Sequence, residues 1–365
     1  MRILSKTVAR FGTIVKRSVP MARPKLSIII PCYKVEKYLP KCLDSLVNQT
    51  MDDIELVCIN DGSPDSCLEI LKDYQEKHGE KIVIIDKKNE GVWIGRQDGI
   101  KKARGEYIGF VDSDDYVHPE FAEKLYNAAV SHDADIAVCG FERIDLETGK
   151  IYSREMCKAR PDIDSTKNPG VMLELNGAPW NKVFRADLLK KNFYQMKNVP
   201  KVLDDMMFQL LVYYKTTKIT FIPDSLVYYM VRKDSIINTV KMELIPSTYA
   251  AMVEVRELYA RERPELLDYI DANAFLHLGV SFVYRLSENP DVDLKRLIRE
   301  NQEFLNQDFP RWKKTPYTTL GYVLRHHGAN LKLWIVKVII NLGLFRWFIK
   351  TYKFMIRTLG VDIKW

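Results

Sequence analysis

Two groups of carboxylates in this chain are spaced so that a cation and a base could work side by side. Asp112-Ser113-Asp114-Asp115 sets three acids within four residues, and Leu203-Asp204-Asp205 sets two more ahead of an apolar run over 206–214. Carboxylates this close repel one another and are costly to ionise unless a cation neutralises them. An all-oxygen donor set favours a hard divalent ion, Mg or Mn, which keeps positions open for substrate phosphates. Taken alone, Asp112 and Asp114 would serve equally well as caps of the helix expected near Pro119 or as a solvated turn. Asp204 and Asp205 also suit a helix N-terminus, where the macrodipole favours anions. None of the six His falls in a metal-ligand spacing, and the adjacent His326 and His327 point different ways on a helix.

The elements that must position these acids are legible as a strand-then-helix rhythm. Runs rich in Ile and Val at 26–31, 55–60, 82–86, 107–111 and 136–141 recur at about the length of a βαβ unit. After the second run, Ser63 as cap, Pro64 at the first helical position and a stripe of Leu68, Ile70, Leu71 and Tyr74 predict a helix. Continuous apolar strands alternating with helices imply a mostly parallel sheet sandwiched by helices. In such sheets ligands bind beyond the carboxyl ends of the strands. The first strand ends in Pro31-Cys32-Tyr33, the second in Asn60-Asp61-Gly62-Ser63 and the fourth in the Asp112 cluster. One rim thus gathers an aromatic ring, a lone acid in a tight turn and three clustered acids. A strand followed by GxGxxG, or a GxxxxGK[ST] loop, is absent from the sequence, which excludes the dinucleotide and P-loop modes.

Length and charge bound the rest. At 365 residues and 47% hydrophobic, the chain is long enough for a main domain with a smaller appendage. Its six cysteines form no CxxC pair and are expected as free thiols in a reducing compartment. Residues 1–26 hold seven Lys or Arg and no acid, and 331–365 hold seven with one acid, Asp362. Those ends carry +13 of a whole-chain +7, which leaves −6 for the body. An acidic body argues against nucleic acid as partner. Wound as one helix, the tail gathers Lys332, Arg346, Lys350, Lys353, Arg357 and Lys364 on one arc, with Gly343 a candidate bend. Apolar side chains fill the rest of that circumference. Too short an uncharged stretch to span a bilayer, it is expected to lie on an anionic membrane surface or to pack on its own domain. The N-terminal stretch repeats the pattern, with Leu4, Val8, Phe11 and Val15 opposite Lys6, Arg10 and Arg17, up to Pro20. An organelle transit peptide is the alternative there. Between 239 and 330 the text is helical, periodic over 249–257 and 272–286, and free of site motifs.

The motifs SIIIPCYKVEKYLPKCLDSL, CINDGSPD, NEGVWIGRQDGIKKARGEYIGFVDSDD, WNKVFRADLL and LDDMMF resemble, in order and spacing, the family 2 glycosyltransferases. The resemblance covers 25 to about 236. It implies a GT-A fold and transfer of a sugar, with inversion, from a nucleotide diphosphate donor, a UDP-sugar by preference. It further implies Pro31 and Tyr33 as a wall of the nucleoside pocket, Asp61 on the base, and Arg96 by the nucleotide, in GRQDG where the family usually has ARNxG. Asp112 and Asp114 match the DxD motif: Asp114 as direct metal ligand, Asp112 shared between metal and ribose, Ser113 with the donor. Asp205 corresponds to the general base, with Asp204 where the family commonly has Glu. Trp180, Asn181 and Lys182 fall on the acceptor side and Arg232 toward the donor phosphates. The expected architecture is a basic segment at 1–24, a GT-A domain at 25–238, a helical C-terminal appendage at 239–330 and a basic amphipathic tail at 331–365. The expected enzyme is cytoplasmic and peripheral on the inner face of the cell membrane, using a glycan or lipid-linked acceptor. A non-catalytic scaffold that binds nucleotide and membrane is the alternative. A sugar nucleotidyltransferase is disfavoured, because PCYKVEKYL lacks its Gly-rich loop.

Overall fold

The computed structural model describes residues 23–192, 194–231, 242–328 and 330–359. Its strands are β1 (Leu26–Cys32), β2 (Ile54–Asp61), β3 (Ile82–Lys87), β4 (Tyr107–Phe110), β5 (Tyr116–Val117), β6 (Ile136–Asp145), β7 (Ile151–Glu155), β8 (Ile163–Asp164), β9 (Lys182–Arg185) and β10 (Lys218–Val231). They form one sheet in the order β3-β2-β1-β4-β9-β6-β10-β5, with β7 paired to β6 and β8 to β10. The long ladders β1 with β2, β2 with β3 and β6 with β10 are parallel; β9 runs antiparallel between β4 and β6. All five apolar runs are strands because both faces of the sheet are covered. Ile29, Val57, Ile108 and Ile136 enter one core, and their neighbours Ile28, Leu56, Tyr107 and Ala137 enter the other.

Helices α1 (Leu39–Val47), α2 (Cys67–His78) and α4 (Phe121–Ser131) cover one face, and α3 (Val92–Lys102), α5 (Ala186–Asn192) and α6 (Asp204–Tyr213) the other. Helix α3 lies so close to β1 that a Cβ on Gly99 would sit 2.6 Å from Ile29 Cγ2. Helix α2 starts at Cys67, three residues later than the Ser63 cap implies. Asp65 accepts from the Cys67 amide, and Ser63 Oγ instead accepts from the Lys34 amide and donates to Asp65, so the first turn is displaced to Ser66.

After β10 come α7 (Ile245–Glu262), α8 (Leu267–Ala274), a π-helical stretch (Phe275–Phe282), α9 (Val283–Ser287), α10 (Leu294–Asp308) and α11 (Leu320–Arg325). Asp293 caps α10 by accepting from the Lys295 and Arg296 amides. The tail is two helices, α12 (Leu331–Asn341) and α13 (Phe345–Leu359), parted at Gly343 with φ +72°. It is therefore not the single helix on which the basic arc was drawn. Leu333, Val336, Ile340, Phe345 and Ile349 join the same core as Ile29 and Phe110, so these helices and one face of the sheet share their packing. The N-terminal amphipathic segment, Arg232 and Lys364 lie outside the described residues. All six cysteines are free thiols.

Candidate active site

The site is assembled from strand ends by short polar ties. At the end of β1, Tyr33 is 43% exposed and Lys34 takes φ +56°, its amide held 2.8 Å from Ser63 Oγ beyond β2. Asp65 completes this tie through the Ser63 hydroxyl (2.5 Å) and the Glu36 amide (3.1 Å). Burial would raise the Asp65 carboxyl, but these donors and the Cys67 amide outweigh it and hold it down at about 2. Next to it Gly62, at φ +61°, is required: a Cβ there would lie 2.7 Å from the Asn89 amide nitrogen.

Asp61 is 4% exposed and closes the second strand end on the third. Its two oxygens accept from the Glu90 amide (2.9 Å) and the Gly91 amide (2.8 Å), the turn that begins α3. The residue expected to meet a base is thus also the clamp that sets where α3, and with it Arg96, begins. Ser113, buried, donates to the Pro31 carbonyl at 2.6 Å and so ties the DSDD turn to β1. Asp115 accepts from the Met230 amide at 2.7 Å and ties the same turn to the end of β10.

Arg96 is the centre. Its guanidinium is 4% exposed and donates from Nη1 to Asp205 Oδ1 (2.5 Å) and Asp204 Oδ2 (3.1 Å), and from Nη2 to Asp112 Oδ1 (3.3 Å). Burial pulls its pKa down, but the carboxylates of Asp205, Asp112 and Asp204 pull harder, and it ends above its ordinary value. The acids are strained in the opposite sense. Burial first, then repulsion from Asp205 and Asp114, pushes Asp112 up to about 7 against the pull of Arg96. Burial and the neighbouring Asp205 push Asp204 up to about 6. One cation therefore leaves this cluster under-compensated, as a site that receives a further cation requires. Leu203, immediately before the pair, takes φ +58°, a left-handed conformation uncommon for a side chain without a polar tip. That turn aims both carboxylates at Arg96 from the start of α6.

Trp180, Asn181 and Lys182, expected on the acceptor side, are buried. Trp180 packs edge-on to Phe141 and stacks on Tyr229 at 5.3 Å. Asn181 donates to the Cys139 carbonyl at 2.7 Å. The Lys182 ammonium, wholly buried, is held by Ala178 O (2.6 Å), Asn181 Oδ1 (2.8 Å) and Asn176 Oδ1 (2.8 Å) and O (3.1 Å). Burial lowers it to about 7, although Cys139 and Asp205 favour its charge. The segment fastens the loop over 176–178, where Gly177 packs on the Met206 backbone of α6. The segment thereby packs against the helix that carries Asp205. Tyr229, beside the Arg143 guanidinium at 5.1 Å, and the anchor Asp65 escape a motif reading, while Asp115 stands in the DSDD motif without its anchoring part being legible. Asp65 had a local signal, the Ser-Pro-Asp turn.

Hard oxygen donors at Asp112 and Asp114 suit Mg or Mn. Among the described residues no three His, Cys, Asp or Glu form a ready-made cage. An ion bound through one or two carboxylates and substrate phosphates fits this donor set.

A covered, largely parallel sheet with an acidic DxD turn at its rim, a buried arginine and a second acid pair is the architecture of the GT-A fold. Residues 27–193, a little under half of the chain, match the model described as "Glycosyl transferase family 2". Over 236 residues it is 36% identical to the poly(ribitol-phosphate) beta-glucosyltransferase of Bacillus spizizenii, covering 63% of this chain and 36% of that one. The chain thus spans about a third of that relative's length. The structure of S. aureus TarS 1–349 in complex with UDP-GlcNAc superposes with TM-score 0.67 at 20% identity, covering 87% of this chain and 92% of that chain. A Pyrobaculum calidifontis mannosyltransferase in complex with GDP-Man and Mn2+ shares the fold at TM-score 0.50 and 15% identity, covering 86% of this chain and 88% of that one.

Proposed function

We propose that the chain transfers a sugar, with inversion, from a UDP-sugar to a hydroxyl of a membrane-associated glycan or lipid-linked acceptor. The observation that carries this reading is Arg96, which joins the donor-side Asp112 to the acceptor-side Asp204 and Asp205 on one buried guanidinium. Pro31 and the exposed ring of Tyr33 are assigned to the nucleoside, with Asp61 beneath the base and Ser113 and Arg232 on the donor side. Asp114, with Asp112, would hold the Mg or Mn ion. When bound, that ion neutralises the diphosphate as it leaves.

Asp205 takes the acceptor's proton while the acceptor oxygen bonds to the anomeric carbon from the face opposite the diphosphate. The bond from that carbon to the phosphate oxygen breaks, and its electron pair leaves with the nucleoside diphosphate. Arg96 holds and aims Asp205, and Asp204 shares that arginine. The relatives support a UDP-sugar donor and a polymer hydroxyl acceptor: TarS was solved with UDP-GlcNAc, and the Bacillus spizizenii enzyme is named for poly(ribitol-phosphate). The working place assigned to the enzyme is the inner face of the cell membrane, as a peripheral protein. The test is a screen of UDP-glucose, UDP-GlcNAc, UDP-galactose and GDP-mannose with Mg or Mn, following nucleoside diphosphate release with and without membrane extract. Acceptor-stimulated UDP release from one donor is expected. Nucleotide binding without release from any donor would favour the non-catalytic scaffold instead.

A further inference from the structure

Helix α12 is apolar on two opposite sides. Leu333, Val336 and Ile340 are buried in the protein, while Leu331, Ile335, Val338 and Leu342 form a second stripe at spacings of four, three and four that faces solvent. Leu342 is 65% exposed. Helix α13 repeats the division: Phe345, Ile349 and Tyr352 point inward, and Trp347 (67% exposed) and Phe354 (63%) point out. Leu344 at the turn between them and Leu320 and Leu324 of α11 are exposed too. A protein does not leave side chains of this size in water over three successive helices unless something covers them. No helix of the described residues is long and apolar enough to cross a membrane, so the stripe is not a span.

Charge decides what the cover is. From Phe309 to Leu359 there are ten Lys or Arg and not one Asp or Glu. Lys313, Lys314, Arg325, Lys332, Arg346 and Lys350 are exposed, and the Lys350 ammonium lies 5.6 Å from the centre of the Trp347 ring. A second copy of this surface would bring like charges together, and an ordinary protein partner would not call for a uniform absence of acid. Aromatic and aliphatic side chains set among exposed cations match an anionic bilayer, apolar below and negative at its surface.

We infer that the solvent face of α11, α12 and α13 docks on anionic lipid, with Leu342, Leu344, Trp347 and Phe354 entering the interface and Arg346 and Lys350 engaging the headgroups. This deepens the proposed function and rests on it only for the membrane-borne acceptor. Lys353 is not part of the face, since its ammonium bonds the Ser287 carbonyl and pairs with Glu288 at 3.5 Å. The tail therefore adheres edge-on through its outer half while its inner half stays packed on the enzyme.

The test is flotation of the full chain with vesicles of phosphatidylglycerol and phosphatidylcholine, or of phosphatidylcholine alone, in low and high salt. Wild type is expected to float with the anionic vesicles and to be partly retained in high salt. The double variant Trp347→Ser with Phe354→Ser should lose binding about tenfold in both salts, and Arg346→Glu with Lys350→Glu about tenfold in low salt only. Light scattering and thermal melting accompany each variant. Unchanged flotation of the folded aromatic variant, equal binding to neutral vesicles, or a wild-type dimer that the variants break to monomers would each overturn the assignment. UDP release without vesicles keeps the two readings apart. Lipid binding without UDP release from any donor leaves the membrane face standing and removes the catalytic reading; UDP release without lipid binding does the reverse.

Discussion

At the rim of the sheet, the carboxylates of Asp112, Asp204 and Asp205 converge on one guanidinium that is almost wholly buried; on the outer face of α11 to α13, Arg325, Arg346 and Lys350 are exposed to water, and these helices carry no acid. The first arrangement raises two acids above their ordinary range and is costly to the folded chain, whereas the second costs little, because solvated cations keep their hydration. Charge that is expensive to bury persists where a reacting ligand repays it, and charge that stays in solvent persists where a surface attracts it. The two regions therefore respond differently to the same kind of substitution.

The largest effect should come from Asp114→Asn. The residue is placed to hold the ion that neutralises the leaving diphosphate, so turnover should fall by about a thousandfold or more, and excess chelator should do the same to wild type. Full activity of the variant in a UDP-release assay would remove the metal from this rim. Asp205→Asn comes next, with transfer down about a thousandfold while UDP affinity by calorimetry stays near wild type, since a base acts on the acceptor. Asp204→Asn should cost about tenfold or less. Equal loss of UDP binding in Asp205→Asn would reassign that residue to structure.

Lys182→Met probes the support under α6 rather than the chemistry. Orphaning the carbonyls and amides that now hold the ammonium should cost about 2 kcal/mol in denaturant melts. The wild type carries a matching pH signature. Its folded lysine lies at about 7 and an unfolded one near 10.5, so between these values the unfolded chain binds more protons and stability rises with pH. The variant should lack that rise.

The smallest effect concerns Asp112. Its carboxyl stands at about 7 in the fold against 3.8 for the ordinary group, so from about pH 4 to 7 the folded chain holds a proton that the unfolded chain has released. Its contribution is present at low pH and is lost as pH rises through 7, and Asp204 adds the same trend up to about 6. Melting temperature should show this decline, flattened in Asp112→Asn and opposed above pH 7 by added Mn. A melting profile identical in wild type and Asp112→Asn would mean that the carboxylate cluster is not strained.

The strands of the parallel ladders were legible because burial on both faces makes their middles continuously apolar, Ile28–Ile30 and Leu56–Ile59, while the buried Ser27 and Glu55 near their starts bond each other. The start of α2 was misjudged because Ser63 and Pro64 imitate a cap while Asp65, two residues on, takes the amide that defines the first turn. Strand β9 carried no periodic signal at four residues, and it enters the sheet antiparallel between β4 and β6.

By itself the sequence determined the fold class and the strand ends that gather the candidate site, because apolar period and motif spacing are local properties of the chain. It also determined the absence of acid from the last helices, which is a matter of composition. Only the tertiary structure decided that Arg96 joins Asp112 to Asp204 and Asp205, residues 16 to 109 positions away, that Lys182 lies inside the protein, and which half of the apolar tail meets water. These depend on distance and burial across elements far apart in the chain, and on the dielectric that burial creates, which no local pattern encodes.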